Sequence, residues 1–246
     1  MKKFLSLCCF CLLVALSVPA LAAPTLHLKG NTVVMENNGK KTDLPGDTFV
    51  PQDVQGADLR FVAISPDNKD SFSIEPGLYL FDKAGKTVAF IPSEDAEMCS
   101  EVRFSPKGDI LAMDVGASLV RSWFFFSYPA LKPMGEVSYY LASENPALIW
   151  NGDAGVLFSA MNAEVQGRVC GYDPCVAVSV EYHDFSNGKT EVLMAGTPEC
   201  NYTLADFDPA KELVSIEKLC LASGAAWEQF PEDVPTQTVT VPLKTR

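Results

Sequence analysis

The stretch Val102-Arg103-Phe104-Ser105-Pro106-Lys107-Gly108-Asp109-Ile110-Leu111-Ala112-Met113 decides the reading of this chain. An apolar run ends in a large side chain, a Ser-Pro-Lys-Gly turn follows, and a second apolar run begins. Pro presets φ for the first corner of the turn and Gly tolerates the second, so the segment predicts two strands joined by a tight turn. The pattern recurs as Phe61-Val62-Ala63-Ile64-Ser65-Pro66-Asp67-Asn68. A degraded copy runs Leu148-Ile149-Trp150-Asn151-Gly152-Asp153-Ala154, and a fourth is Leu204-Ala205-Asp206-Phe207-Asp208-Pro209-Ala210-Lys211. The anchors Ile64, Phe104, Trp150 and Phe207 stand 40, 46 and 57 residues apart.

That period is the length of one blade of a propeller, with growth in the third unit. Between anchors the chain remains strand-like, as in Gly77-Leu78-Tyr79-Leu80-Phe81 and Thr87-Val88-Ala89-Phe90 around Lys83-Ala84-Gly85-Lys86. Trp123-Phe124-Phe125-Phe126 is too uniformly apolar for a strand with one wet face and predicts a strand buried on both. No window carries sustained 3.6-residue periodicity with caps, so the fold class is all-β. Ser65-Pro66-Asp67-Asn68 and Ser105-Pro106-Lys107-Gly108, each before an apolar strand, resemble the WD40-like repeats of TolB-type β-propellers over about residues 59 to 220. The resemblance implies a four-stranded blade per unit and a ligand or partner surface at the channel mouth, and it carries over no catalytic residue. About five blades fit the length, the fifth joining N-terminal strands (Thr25–Leu28, Thr32–Met35) to C-terminal Thr238–Val241 as a latch. An irregular β-sandwich is the alternative.

The first residues read as an address. Lys2 and Lys3 precede the uncharged run Phe4–Val18, and Ala20-Leu21-Ala22 places small residues before Ala23. Residues 1–22 are therefore expected to be a secretory signal peptide and 23–246 a single domain in the periplasm or outside the cell. An uncleaved anchor is the competing reading. The 246 residues are 48% hydrophobic and 20% charged, which excludes disordered and fibrous classes. The formal charge of -12 becomes -14 once Lys2 and Lys3 leave. Such a field repels phosphate backbones and anionic lipid heads, so no nucleic acid and no membrane insertion after signal cleavage are expected, and a basic partner is favoured.

Five of the eight cysteines remain after cleavage, and an oxidising compartment makes disulfides the default. Pairing Asp208 with Glu212 across the last turn sets Cys200 opposite Cys220, Leu204 opposite Ile216 and Phe207 opposite Leu213, predicting a cross-strand disulfide. Cys170 and Cys175 enclose Gly171-Tyr172-Asp173-Pro174, a turn-rich loop that a local disulfide would staple. A metal reading of that pair is weaker, because neither histidine has ligand spacing to it and no metal site is expected. Cys99 is left as a buried filler or, alternatively, a partner for the third unit.

No stretch names a reaction. His183 lies between Tyr182 and Asp184, whose side chains point to the other face of a strand, so a structural role outweighs a general base. His27 alternates with leucines on an edge strand. The acidic run Ser93-Glu94-Asp95-Ala96-Glu97, with Asp67 and Asp70, lacks the alternation and loop glycine of a calcium loop. Nucleophile elbows and phosphate-cradling loops are missing, and no cofactor is expected. Two functions are consistent with this inventory. One is an exported non-catalytic binding module for a protein or small polar ligand, with Trp227, Phe230, Tyr172 and Asp173 as contact residues. The other is a carboxylate-dependent hydrolase in which Asp58, Asp114 and Asp206, from different inner strands, converge.

Overall fold

The computed structural model describes residues 24–116, 120–140, 148–170, 175–222, 225 and 229–243. The chain folds into five antiparallel sheets, each made of strands consecutive in sequence. The first holds β1 (Thr25–Lys29), β2 (Thr32–Asn37) and β3 (Lys40–Asp43). The second holds β4 (Gln52–Asp53), β5 (Arg60–Ile64), β6 (Gly77–Phe81) and β7 (Thr87–Pro92). The third runs β8 (Cys99–Phe104), β9 (Ile110–Val115), β10 (Val120–Ser127) and β11 (Pro133–Tyr140). The fourth is β12 (Ile149–Asn151), β13 (Gly155–Gln166), β14 (Val176–Asp184) and β15 (Lys189–Met194), and the fifth is β16 (Cys200–Asp208), β17 (Leu213–Cys220) and β18 (Thr236–Pro242).

Four hydrophobic clusters glue these sheets in chain order. Leu26 and Val33 of the first pack on Val62, Ile64 and Phe81 of the second. Leu78 and Leu80 pack on Val102, Leu111 and Met113 of the third. Trp123 and Phe125 face Val156 and Phe158 of the fourth, and Leu157 and Val180 meet Leu204, Val214 and Ile216 of the fifth. Phe124 and Phe126 point the opposite way from Trp123 and Phe125, against the second sheet. The uniformly apolar run thus sits in a strand covered on both faces, as expected for stacked blades. Five meandering sheets stacked face to face in sequence make a five-bladed propeller architecture.

Three of the four repeated turns close as hairpins. In the second copy Gly108 (φ +82°) donates its N–H to Ser105 O at 2.9 Å, and the Ser105 hydroxyl accepts from Ile110 N at 3.1 Å. Ala154 N–H reaches Asn151 O at 3.1 Å across Gly152 (φ +55°). Asp208 Oδ1 accepts from Ala210 N and Lys211 N at 3.0 and 3.2 Å. Lys107 and Asp153 approach to 3.5 Å, which sets the turns of the third and fourth sheets side by side. The first copy departs from the expectation, because after Pro66 the chain forms a short helix, α1 (Asp67–Phe72), ended by Ser73 at φ +57°. Its reason is packing: the helix delivers Phe72 onto Phe49 with ring centroids 5.4 Å apart, and Ile74 is buried just beyond.

The latch blade is not what forms. β18 pairs with β17, placing Val239 beside Ile216 and Val241 beside Val214, while β1 and β2 pair with each other. Each terminal strand finds a hairpin neighbour that completes a local apolar cluster, so neither needs the other. The outward faces of the end sheets are polar accordingly. Thr25, Glu36 and Lys41 align on the first, with Glu36 3.8 Å from His27 and 3.5 Å from Lys41. Asp206, Ser215 and Thr240 align on the fifth. Among the described residues no hydrophobic cluster joins the first sheet to the fifth.

Both expected disulfides are present, Cys170–Cys175 and Cys200–Cys220. Cys200 opposes Cys220 and Leu204 opposes Ile216 as read from the sequence, but a bulge at Ala205 then shifts Phe207 onto Val214 rather than Leu213. Cys99 is a buried free thiol.

Candidate functional site

A cleft of about 770 Å³ opens between the first and second sheets, within the size range of ligand pockets. Its floor is backbone. Leu28 N–H donates to Gly85 O at 2.7 Å, and Thr87 Oγ1 donates to Leu26 O at 2.6 Å. Gly85 has φ +77°, and a Cβ there would strike the Leu28 carbonyl, so only glycine permits this approach. Arg60, the first residue of β5, holds the wall. Its Nη1 donates to Gly30 O at 2.9 Å and Asn31 Oδ1 at 3.0 Å in the β1–β2 turn, and its Nη2 donates to Pro51 O at 3.0 Å. Five planar donors in a fixed fork suit such a three-point tether, which a lysine would not reproduce. Asp53 lies 3.4 Å from Arg60 Nε and is 91% exposed. The two sheets are therefore locked together at the base of the cleft and along one side before any ligand arrives.

Charge of both signs lines the opening: Lys29, Asp53, Asp58, Arg60, Asp82 and Lys83. Asp58 and Lys83 meet at 2.8 Å, with side chains 80% and 74% exposed. Asp82 is occupied by its own turn, accepting from Lys86 N at 2.9 Å. A smaller pocket of about 260 Å³, lined by Thr48, Gln52, Ser65, Asn68 and Glu97, ends on buried Cys99, whose thiol burial pushes up to about 12. That thiol is protonated at any physiological pH and is a poor nucleophile.

The three acids named from the sequence lie on three different sheets. Asp58 is in the β4–β5 loop at the cleft. Asp114 is buried in β9, where Arg121 Nε donates at 3.0 Å, Ser100 Oγ at 2.6 Å and Tyr139 Oη at 2.9 Å. Burial, followed by the Asp114 charge, raises the Tyr139 phenol well above its ordinary value, so it remains a donor to that carboxylate. Asp206 is exposed on β16. Among the described residues no three His, Cys, Asp or Glu side chains cluster closely enough to hold a metal ion. Of the named contact residues, Phe230 is 52% exposed, while Trp227, Tyr172 and Asp173 lie outside the described residues. Asn201 heads a glycosylation-like triplet, yet its side chain is buried, donating to Val169 O at 2.6 Å and accepting from Val178 N at 3.0 Å.

His183 is buried at the seam of the third and fourth sheets. Its ring stacks on Phe125 at 6.1 Å and meets Phe185 edge-on at 5.4 Å. Nδ1 pairs with Thr190 Oγ1 at 3.0 Å, whereas Nε2 has no hydrogen-bond partner. Burial lowers its pKa, against a smaller opposing pull from Asp184, so a neutral imidazole fills this site. Asp184 instead caps its own turn through Ser186 N at 2.7 Å and Asn187 Nδ2 at 2.9 Å. The sequence reading of His183 named Tyr182 and Asp184 as its neighbours but not Phe125, Phe185 or Thr190, which surround the ring, and it did not name Arg60, Asp53 or Lys83. Lys83 lay inside a turn already recognised, but nothing local distinguishes Arg60 from any strand-edge arginine.

No family model matches the chain, and no curated protein matches it. Among solved structures it is similar to the β-propeller domain of the Trilobed protease from Pyrococcus furiosus, at 11% identity and a TM-score of 0.45 over 92% of this chain and 70% of that one. It is also similar to an acylaminoacyl peptidase of Pyrococcus horikoshii, at 9% identity and 0.42 over 90% of this chain, and to TolB from Acinetobacter baumannii, at 10% and 0.37 over 88%. The chain spans 38% of that peptidase chain and 52% of that TolB chain.

Proposed function

We propose that this chain is an exported binding module, acting without a catalytic step of its own, and that its small polar ligand or partner segment enters the cleft between the first and second sheets. The observation that carries this reading is the cleft's construction. Arg60 and the Leu28–Gly85 contact fix both walls in advance, so little ordering entropy is lost when a ligand binds. Asp58 and Lys83 are left at the opening with exposed heads that a ligand can reach. Two disulfides support a home in the periplasm or outside the cell, where such bonds persist.

The test is calorimetric titration of the purified protein with polar small molecules and basic peptides, beside Ala84→Trp. Ala84 is exposed and lines the cleft, so this substitution fills the space without disturbing a buried contact. Binding that Ala84→Trp abolishes, with melting temperature unchanged, is the expected result. Turnover of a glycoside or peptide panel by the purified protein, lost in Asp58→Asn, overturns the reading in favour of a carboxylate-dependent hydrolase.

A further inference from the structure

We infer that the cleft selects small zwitterions, an amino acid or short peptide with both ends free, whose ammonium group is taken by Asp58 and whose carboxylate is taken by Lys83. The inference rests on the reading of the cleft as a ligand site and adds the chemistry of the ligand. Asp58 and Lys83 come from different elements, the β4–β5 loop and the β6–β7 turn, and face each other at 2.8 Å across the opening. Both heads are mostly solvated, and an exposed pair of this kind contributes little to stability and opens readily. A ligand that presents an ammonium beside a carboxylate replaces both halves of the pair at once and leaves neither charge unpaired. A singly charged ligand strands one of them. Neutral ligands gain nothing from either.

The surroundings reinforce that polarity. Behind the opening Arg60 is immobilised by Gly30 O, Asn31 Oδ1 and Pro51 O, so it supplies a fixed positive charge on the cleft wall rather than a mobile contact. Asp53, beside Arg60 and 91% exposed, offers a second carboxylate to the ammonium end. Lys29 adds a second cation to the lining. The balanced signs exclude a dianion such as a phosphate ester, which would meet Asp53, Asp58 and Asp82 together with the cations. The apolar part of the lining, Leu28, Leu59 and Ala84, leaves room for a small side chain.

The experiment measures affinity of the purified protein for free amino acids and dipeptides, for the same compounds N-acetylated or C-amidated, and for a neutral disaccharide. Free zwitterions bind, and either cap weakens binding about tenfold or more, the scale of one charge-assisted hydrogen bond. Amino acids and dipeptides are compared directly to set the ligand length. In Asp58→Ala the penalty of acetylation shrinks while amidation still hurts in full; in Lys83→Ala the reverse holds. Both positions are exposed, so circular dichroism and melting temperature stay at the parent values. Caps without effect, or capping penalties that persist unchanged in both variants, overturn the inference. Binding of the neutral disaccharide alone, lost in Ala84→Trp, overturns it too while leaving the cleft as a ligand site. If no zwitterion binds, the inference fails whatever the wider ligand panel says of the cleft.

Discussion

A neutral imidazole with one nitrogen unpaired makes His183 a stability-determining residue with a pH signature. Its folded-state pKa lies below the ordinary value, because burial among Phe125 and Phe185 penalises the charged ring. The unfolded chain then binds the proton more readily, so stability is fully present above the unfolded pKa of about 6.5 and is lost as pH falls below it toward the folded pKa. The melting temperature of the parent protein should drop between pH 7 and pH 5 more steeply than that of His183→Gln, which cannot take up this proton. Parallel curves would show that the seam tolerates the charge. Asp114 poses the opposite problem at the far end of β9 and β10: a buried carboxylate that needs its partner. Arg121→Met leaves that charge unpaired, for which about 3 kcal/mol or more of stability should disappear in urea unfolding. Asp114→Asn, which retains a hydrogen-bonding group toward Ser100 and Tyr139, should cost less.

At the scale of an element, two glycines separate backbone strain from collision. Gly85 and Gly108 both sit in hairpin turns with nearly equal φ, +77° and +82°. Around Gly108 a Cβ would meet nothing within 4 Å, so Gly108→Ala should cost about 1 kcal/mol, the left-handed backbone penalty. At Gly85 the same Cβ would land on the Leu28 carbonyl, and the hydrogen bond from Leu28 to Gly85 would have to break. Gly85→Ala should therefore cost clearly more and weaken ligand binding in the cleft, whereas Gly108→Ala leaves binding unchanged; urea midpoints and calorimetry check both halves. The same comparison explains what was readable in advance. Turn chemistry is local, so Ser105-Pro106-Lys107-Gly108 announced its hairpin, and facing cysteines with Leu204 and Ile216 announced the register of β16 and β17. The bulge at Ala205 has no local cue, and α1 forms because Phe72 finds Phe49, a contact invisible from Ser65-Pro66-Asp67-Asn68 alone. The cleft depends on Arg60 reaching Gly30, thirty residues away, and on Gly85 meeting Leu28. Pairings between sheets leave no periodicity for a single sequence to reveal.

Across the whole molecule, the stacking order makes stability graded. Among the described residues, the second, third and fourth sheets are covered on both faces by the clusters that join neighbours, while the first and fifth are covered on one and turn polar residues outward. A sheet held on one face gives up less buried apolar area when it detaches, so its opening free energy is lower than that of global unfolding. The Cys200–Cys220 bond, closing a loop of 20 residues and contributing about 3 kcal/mol through loop entropy, braces the β16–β17 hairpin of the fifth sheet. The first sheet has no covalent brace among the described residues and relies on Arg60, the Leu28–Gly85 contact and its apolar cluster. Native-state hydrogen exchange should accordingly rank the amides of β9 and β13 slowest, those of β17 next and those of β2 fastest among these central strands. Reducing the disulfides should bring β17 toward the rate of β2 and leave β9 unchanged. Equal protection of β2 and β9 would mean that the outward face of the first sheet is covered as well, and the grading of stability along the stack would fall with it.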